Sequence, residues 1–531
     1  MSDYLLQHLL LHSAEKKPDK NAVLFKDKSV TYSELEHQSN ILALTLQQMG
    51  INKGDRVGIL LTKSIEQIVA LFGILKAGAI YVPLDSTAPA VRVNYMIGHC
   101  GIKCLITTAG NLNALLSDSE EETVVNTVLL FGEALKEFPH KKIMLKSLPL
   151  NMKTAAATSE YLPIEASDTS PAYILHTSGS TGNPKGVAIS HRNALTFVEM
   201  AANFFNADEN DRFASQAPLH FDLSVFDIFV AVKCGATIVL LPEQLSTFPV
   251  KLAEYINKEQ ITVWNSVSSV LTLIADKGML NLRCFDTLRL VHFSGDIMPV
   301  KYLRILTRYM NKASFYNIYG QTEANSSMCY PIEQIPDDDT WRIPVGRPFP
   351  NFEVFALRDN GELVVRPEDE GELFISSSTV ALGYWDNMIM TNEKFVPDPR
   401  YPLAKKIVYK TGDLVRIDRN GEYVFTGRKD SMIKSRGYRV ELGEIEAVLS
   451  SHPEIAIAVA FSVPDELIGN RISAIIVPTA PSAINKVEVA KYCATRLPKY
   501  MIPDGIEIRD HLPLTSTGKV DRKNLGTAVS L

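Results

Sequence analysis

The densest chemistry in the chain is His176-Thr177-Ser178-Gly179-Ser180-Thr181-Gly182-Asn183-Pro184-Lys185-Gly186, which follows an apolar run, Ala172 to Leu175, that reads as a strand. Three glycines let such a backbone turn tightly, and four hydroxyls with the backbone N–H groups can surround a polyphosphate. Lys185 adds a cation. The segment is not the P-loop pattern GxxxxGK[ST], because the Gly-to-Lys spacing fails and no Ser or Thr follows the lysine. A flexible Ser/Gly linker would not sit between two apolar runs and end in Pro-Lys-Gly.

Other chemistry-bearing residues are ambiguous when taken singly. Asp222, in His220-Phe221-Asp222-Leu223-Ser224-Val225-Phe226, could cap a following helix. A carboxylate facing a substrate would instead need a cation to offset its burial. The Gly412-Asp413 pair is by itself the composition of a turn. Lys519 lies in a polar Thr-Gly-Lys segment, where a lysine is ordinarily a solvated charge.

The context of these residues resolves them. The loop TSGSTGNPKG resembles the phosphate loop of the acyl-adenylate-forming superfamily, which includes acyl-CoA synthetases, luciferases and nonribosomal-peptide adenylation domains. Further matches follow in order: LKAGAIYVPLD (Leu75 to Asp85), YGQTE (Tyr319 to Glu323), YKTGDLVR (Tyr409 to Arg416), GRKDSMIKSRGYRVELGEIE (Gly427 to Glu446) and LTSTGKVDR (Leu514 to Arg522). The frames NSVSS, FSGD and YNIYGQTEANSS most resemble free-standing aminoacyl–carrier-protein ligases of the prolyl and D-alanyl types.

The resemblance implies ATP as co-substrate and Mg2+ as cofactor. Thr177, Ser178, Gly179, Ser180, Thr181, Gly182 and Lys185 would hold the phosphates. Glu323, beside Thr322, would help hold the magnesium, a hard cation served by one carboxylate and phosphate oxygens. Asp413 would bind the ribose hydroxyls with Arg428 close by, while Tyr319, next to Gly320, and Phe425 would flank the adenine. Lys519 would bridge the substrate carboxylate and the α-phosphate as charge shifts, an electrostatic contribution of about 3–4 kcal/mol. Asp430 resembles the hinge at which a small domain swings to exchange Lys519 for the Gly437 loop.

In the amino-acid branch an Asp in the position of Asp222 binds the α-ammonium. The same pattern implies a pocket of Phe221, Asp222, Leu223, Phe226, Asn265, His292, Ser294, Ile318, Ser326 and Ser327. This lining is more polar than a proline side chain needs, and unfilled polar groups are penalised, so a small or hydrogen-bonding side chain is expected. Gln321 stands where YGPTE has proline, and Asp296 where a Glu is usual. No condensation, thioesterase or carrier segment is recognisable, which implies that the acyl group passes to the phosphopantetheine thiol of a separate carrier protein. No nucleophilic Cys or Ser is then required here. An acyl-CoA ligase for a non-amino acid is the alternative, and a catalytically dead member would have lost Lys519, Glu323, Asp413 or Lys185.

These residues need a scaffold. The 531 residues are 46% hydrophobic, 21% charged and 8% aromatic, a globular composition too long for one core. Strand-like runs such as Arg56 to Leu61 and Ala236 to Leu241 alternate with helical spacing, as in Ile65, Ile68, Val69, Phe72 and Leu75 before Gly78. Such alternation predicts an α/β core with layered sheets. The last hundred residues read as a small α+β unit: helix from Glu444, strands Ile455 to Phe461 and Ile472 to Val477, helix Val487 to Leu497. The expected division is 1–429 for a large adenylation core, with a small β-barrel-like part, and 430–531 for a small mobile lid. Ser117 to Thr123 and Lys153 to Ser170 read as surface connections.

A net charge of −6 argues against a nucleic-acid partner. Six scattered cysteines show no ligand spacing for zinc and no disulfide framework. Tyr4 to Leu11 is apolar but short and interrupted, an amphipathic helix rather than a leader, and no run approaches a membrane span. A cytoplasmic enzyme is expected.

Overall fold

The alternation of buried strands and amphipathic helices builds three sheets ahead of Lys429. The computed structural model describes residues 3–117, 125–132, 144–148, 166–179, 182–367, 369–480 and 484–512. Ser180, Thr181 and the LTSTGKVDR motif with Lys519 lie outside the described residues, as do most of the two expected surface connections.

One sheet has nine strands and the second eight among the described residues. The centre of the first is parallel: Arg212–Ser215, Val263–Val267, Leu290–Ser294 and Ser314–Gln321 follow one another in register. Parallel strands are buried on both faces, and these runs are correspondingly apolar with polar exceptions that face the site. In the second sheet Arg56–Leu60 lies between Ile80–Pro83 and Cys104–Thr107. The helices Leu6–Lys16, Tyr32–Gln48, Ile65–Lys76 and His191–Phe204 share one continuous core with strands of both sheets, giving a layered α/β body. Local signals set the helix starts: Thr31 with Glu34, and Ser190 with Asn193, form reciprocal capping boxes.

The third sheet is antiparallel and five-stranded, arranged around the long strand Ile407–Ile417. That strand pairs with Phe395–Pro397 near its start and with Tyr423–Arg428 near its end. Beyond Arg428 come a two-stranded hairpin, Met432–Ser435 with Tyr438–Glu441, and a three-stranded sheet flanked by the helices Leu442–Ser450 and Lys486–Ala494. These last elements enclose their own core around Ile445, Leu449, Ile472 and Val489. Expected strands are longer than their apolar runs suggest, Ile455–Asp465 and Gly469–Pro478, because antiparallel pairing continues past the last buried side chain.

Candidate active site

The phosphate-loop motif closes a β-hairpin rather than opening a helix. Pro171–Thr177 pairs antiparallel with Lys185–Ser190, and Thr177 faces Lys185 at the mouth of the loop. At Gly179 a Cβ would meet Asn183 O at 2.1 Å, so the tight turn needs glycine. Ser178 Oγ donates to Arg439 O (2.7 Å), and Gly179 N–H donates to Glu444 Oε2 (3.3 Å). The small C-terminal unit therefore sits directly on this loop.

Glu323 is fully buried at the centre of the site. Arg439 Nη1 donates to both its oxygens at 2.9 Å, Tyr384 OH donates to Oε1 at 2.7 Å, and Lys185 Nζ lies 3.5 Å away. Burial alone would raise this carboxyl, but the charges of Arg439 and Lys185 hold it well below the usual carboxylate range. Lys185 is pushed down to about 8 by its burial, aided by the nearby Arg439 charge. A buried, ionised Glu323 thus demands a cation, and Arg439 now supplies it.

Asp222 precedes a short helix but makes no capping bond. Its Oδ2 accepts instead from Thr322 Oγ1 at 2.9 Å, so the helix-cap reading is set aside. Burial raises its proton affinity, with the Thr322 bond opposing. The π-helical turn Phe226–Val230 that follows widens the helix here and turns Phe226 toward the cavity, a common device at functional sites.

That cavity, about 120 Å3, is lined by Phe221, Asp222, Leu223, Phe226, Asn265, His292, Ser294, Ile318, Gly320, Thr322 and Ser326, together with His176, Thr177 and Ser178. Its floor is dictated by register. Asn265 and His292 are partners on adjacent parallel strands, and His292 and Ser294 share a face because side chains alternate. The same alternation removes Ser327 from the expected set: it is fully buried away from the cavity and donates to Asn325 O. His292 is packed between Phe205 and Phe226, its pKa lowered to about 3 by burial, with neither ring nitrogen hydrogen-bonded. Behind Asn265, which donates to its Oδ1 at 3.1 Å, lies Asp227, raised to about 8 by burial.

A second cavity, about 300 Å3, is lined by Tyr319, Ile343, Val345, Phe425, Gly427, Arg428, Asp430 and Lys434. Tyr319 and Phe425 are thus brought together as expected. Buried Asp413 accepts from Tyr319 OH, Gln321 Nε2 and Arg428 Nη1. Gln321 also accepts from Tyr409 OH at 2.6 Å, so the residue that departs from YGPTE ties strand Ser314–Gln321 to strand Ile407–Ile417. Asp430 accepts from Arg428 Nε (2.6 Å) and Nη2 (2.7 Å) between the Tyr423–Arg428 strand and the C-terminal hairpin.

A third cavity, about 400 Å3 and largely apolar, runs between the two units. Pro218, Phe221, Leu223, Val267, Val270, Arg436, Tyr438, Leu467 and Ile468 line it. It shares Phe221, Leu223, Asn265 and Tyr438 with the first cavity. The Gly437 loop forms its wall: Gly437 has φ +79°, and a Cβ there would meet Val267 at 2.6 Å. Sequence reading singled out Gly437 but missed Tyr438, which packs edge-on to Phe221 at 4.9 Å, and Arg439. Their adjacency to Gly437 was the signal available. Tyr384 carried no signal, since only the fold brings it to Glu323, whereas Lys434, which lines the first and second cavities, lay within the quoted Gly427 to Glu446 motif.

A parallel-centred α/β body, a hairpin that needs glycine at its turn and a C-terminal unit seated on it form the frame on which the family matches fall. Residues 10–385 match the AMP-binding enzyme family and residues 444–519 its AMP-binding enzyme C-terminal domain. The chain belongs to this family and is an AMP-forming ligase. It is 34% identical over 525 residues to an L-proline--[L-prolyl-carrier protein] ligase of Pseudomonas fluorescens, covering 99% of each. It is also 33% identical over 527 residues to Bacitracin synthase 1 of Bacillus licheniformis, where 98% of this chain spans 9% of that protein. The crystal structure of IdnL1 superposes with a TM-score of 0.79 at 26% identity, covering 97% of this chain and 100% of that one. Among the described residues no helix is long and apolar enough to cross a membrane.

Proposed function

We propose that this protein joins an amino acid to ATP as aminoacyl-AMP and then passes the aminoacyl group to the phosphopantetheine thiol of a separate carrier protein. The observation that carries this reading is Asp222, a carboxylate at the cavity wall whose one side-chain donor is Thr322. An α-ammonium is the group that offsets its burial. Tyr319, Phe425, Asp413 and Arg428 hold the adenosine, and Thr177 to Gly182 hold the phosphates. Glu323 would hold Mg2+, which when bound would neutralise phosphate charge; the cation demand of that buried, ionised carboxylate fits it. The substrate carboxylate attacks the α-phosphate, pyrophosphate leaves, and Lys519 stabilises the charge that develops.

The observed arrangement of the two units suits the second step. Arg439 occupies the cation position on Glu323, and the Gly437 loop walls an apolar tunnel that meets the substrate cavity at Phe221 and Tyr438. A pantetheine arm entering it brings its thiol to the acyl carbonyl, a C–S bond forms and AMP leaves. Asp430 is the hinge of the exchange, consistent with its place between two elements.

The substrate side chain bears a neutral hydrogen-bonding group. His292 has no hydrogen-bond partner on either nitrogen, and Ser294, Ser326 and Asn265 line the same cavity. The relatives named for proline and for bacitracin synthesis support amino-acid activation and carrier transfer without specifying this side chain. The test is ATP–pyrophosphate exchange over both enantiomers of the amino acids, with fatty and aryl acids alongside. Exchange with a polar amino acid, lost in Lys519→Ala, supports the reading; exchange confined to acids lacking an amine overturns it.

A further inference from the structure

The fold brings the neighbouring His99 and Cys100 against His176, which lies 76 residues beyond Cys100 in the sequence. His99 and Cys100 are the last two residues of the helix Ala90–Cys100, and His176 is the last but one of the strand Pro171–Thr177 that opens into the phosphate loop. Cys100 Sγ lies 3.6 Å from His176 Nε2. The His99 and His176 rings meet edge to face at 5.9 Å between centroids. One potential ligand atom from each residue lies within 4.8 Å of the others, and among the described residues this is the one such group of three. We propose that His99, Cys100 and His176 form a binding site for a single borderline-soft transition-metal ion of the Zn2+ class, separate from the magnesium position at Glu323.

The distances suit such an ion. Zn–S near 2.3 Å and Zn–N near 2.1 Å at a tetrahedral angle place sulfur and nitrogen about 3.6 Å apart, and two nitrogens about 3.4 Å apart. The Cys100–His176 separation already has that value, and rotation of the His99 side chain closes the remaining gap. The donor set, one thiol and two imidazoles, selects zinc-like or cuprous ions over magnesium or calcium.

A second observation points the same way. Nδ1 of His99 is buried without a hydrogen-bond partner, whereas buried imidazole nitrogens are normally satisfied. The negative end of the helix dipole lies at Cys100 and favours a cation there. Arg56 fixes this helix end by donating to Cys100 O at 2.7 Å, so the site is held before a metal arrives. On binding, the metal displaces the Cys100 thiol proton to solvent, and a water completes the fourth position.

The consequence is mechanical. His176 both ligates the metal and lines the substrate cavity, so a bound ion ties the base of the phosphate hairpin to the helix Ala90–Cys100. The experiment is titration of the metal-free full-length protein with Co2+, read by the thiolate-to-cobalt charge-transfer absorption, then displacement by Zn2+. One equivalent is expected, with the band lost in Cys100→Ser and retained in Cys104→Ser, whose thiol is buried on the neighbouring strand. His99→Gln should weaken binding at least tenfold while pyrophosphate exchange, run with Mg2+ and no transition metal, is kept. Zn2+ should also raise the melting temperature of the wild type and not that of Cys100→Ser. Absence of the band, or a band that persists in folded Cys100→Ser or undiminished in His99→Gln, overturns the proposal.

Discussion

Replacing Arg439 by alanine should separate the two half-reactions. In the present arrangement its guanidinium donates to both oxygens of Glu323, whose side chain is 0% exposed against 14% for Arg439. Removing it leaves a buried carboxylate with Tyr384 OH and a lysine 3.5 Å away. Breaking a buried pair from one side costs about 3–5 kcal/mol; the slight exposure of Arg439 favours the lower end. At about 1.4 kcal/mol per tenfold, the population of this arrangement falls roughly 10²-fold. Under the proposed function the first half-reaction uses Glu323 with magnesium instead, so it would escape the penalty. Pyrophosphate exchange should therefore stay within about threefold of wild type, while loading of a phosphopantetheinylated carrier drops by about two orders of magnitude. Equal losses in both assays, or unchanged loading, would refute the reasoning that Arg439 stands in for the metal.

Further outcomes follow from neighbouring contacts. Gly437→Leu meets Val267 within 2.6 Å of its first side-chain atom and adds strain at φ +79°, so carrier loading should fall at least tenfold with exchange preserved. His292→Leu removes two buried, unpartnered nitrogens, each worth about 1–3 kcal/mol when unsatisfied. The variant should melt higher than wild type in the absence of substrate while kcat/KM for the polar substrate falls 10- to 100-fold. Burial raises Asp296 to about 6, partly offset by the Ile297 N–H bond. A carboxyl raised on folding binds its proton more tightly in the native state, so its contribution is fully present below about 4 and lost as pH rises to about 6. Asp296→Asn should flatten the stability profile between pH 4 and 6, measured by denaturant titration.

The strands Arg56–Leu60 and Thr237–Leu240 and the helix Ile65–Lys76 were legible because periodicity and Gly78 state them locally. The cavity wall was legible for a different reason: His292 and Ser326 lie in motifs on strands of fixed register, and Asp222 in a motif that leads into the helix Leu223–Val225. Ser327 was misplaced because counting along a motif does not see the side-to-side alternation of the strand Asn325–Pro331. Arg439 was invisible as a partner of Glu323 because the two lie 116 residues apart and only the packing of the C-terminal unit on the core brings them together. The His99–Cys100–His176 group was equally hidden, since it joins a helix end to a strand end across the second sheet. Gln321 was flagged as a departure from its motif, yet its bonds to Asp413 and Tyr409 emerge only from the packing of two sheets.

The most direct test of the account compares an activated amino acid with its desamino analogue in wild type and Asp222→Ala, by pyrophosphate exchange. If Asp222 reads the α-ammonium, wild type should favour the amino acid by at least 10²-fold in kcat/KM, and the variant should lose most of that preference. A preference that survives the loss of Asp222, or a wild type that uses both acids equally, would contradict it.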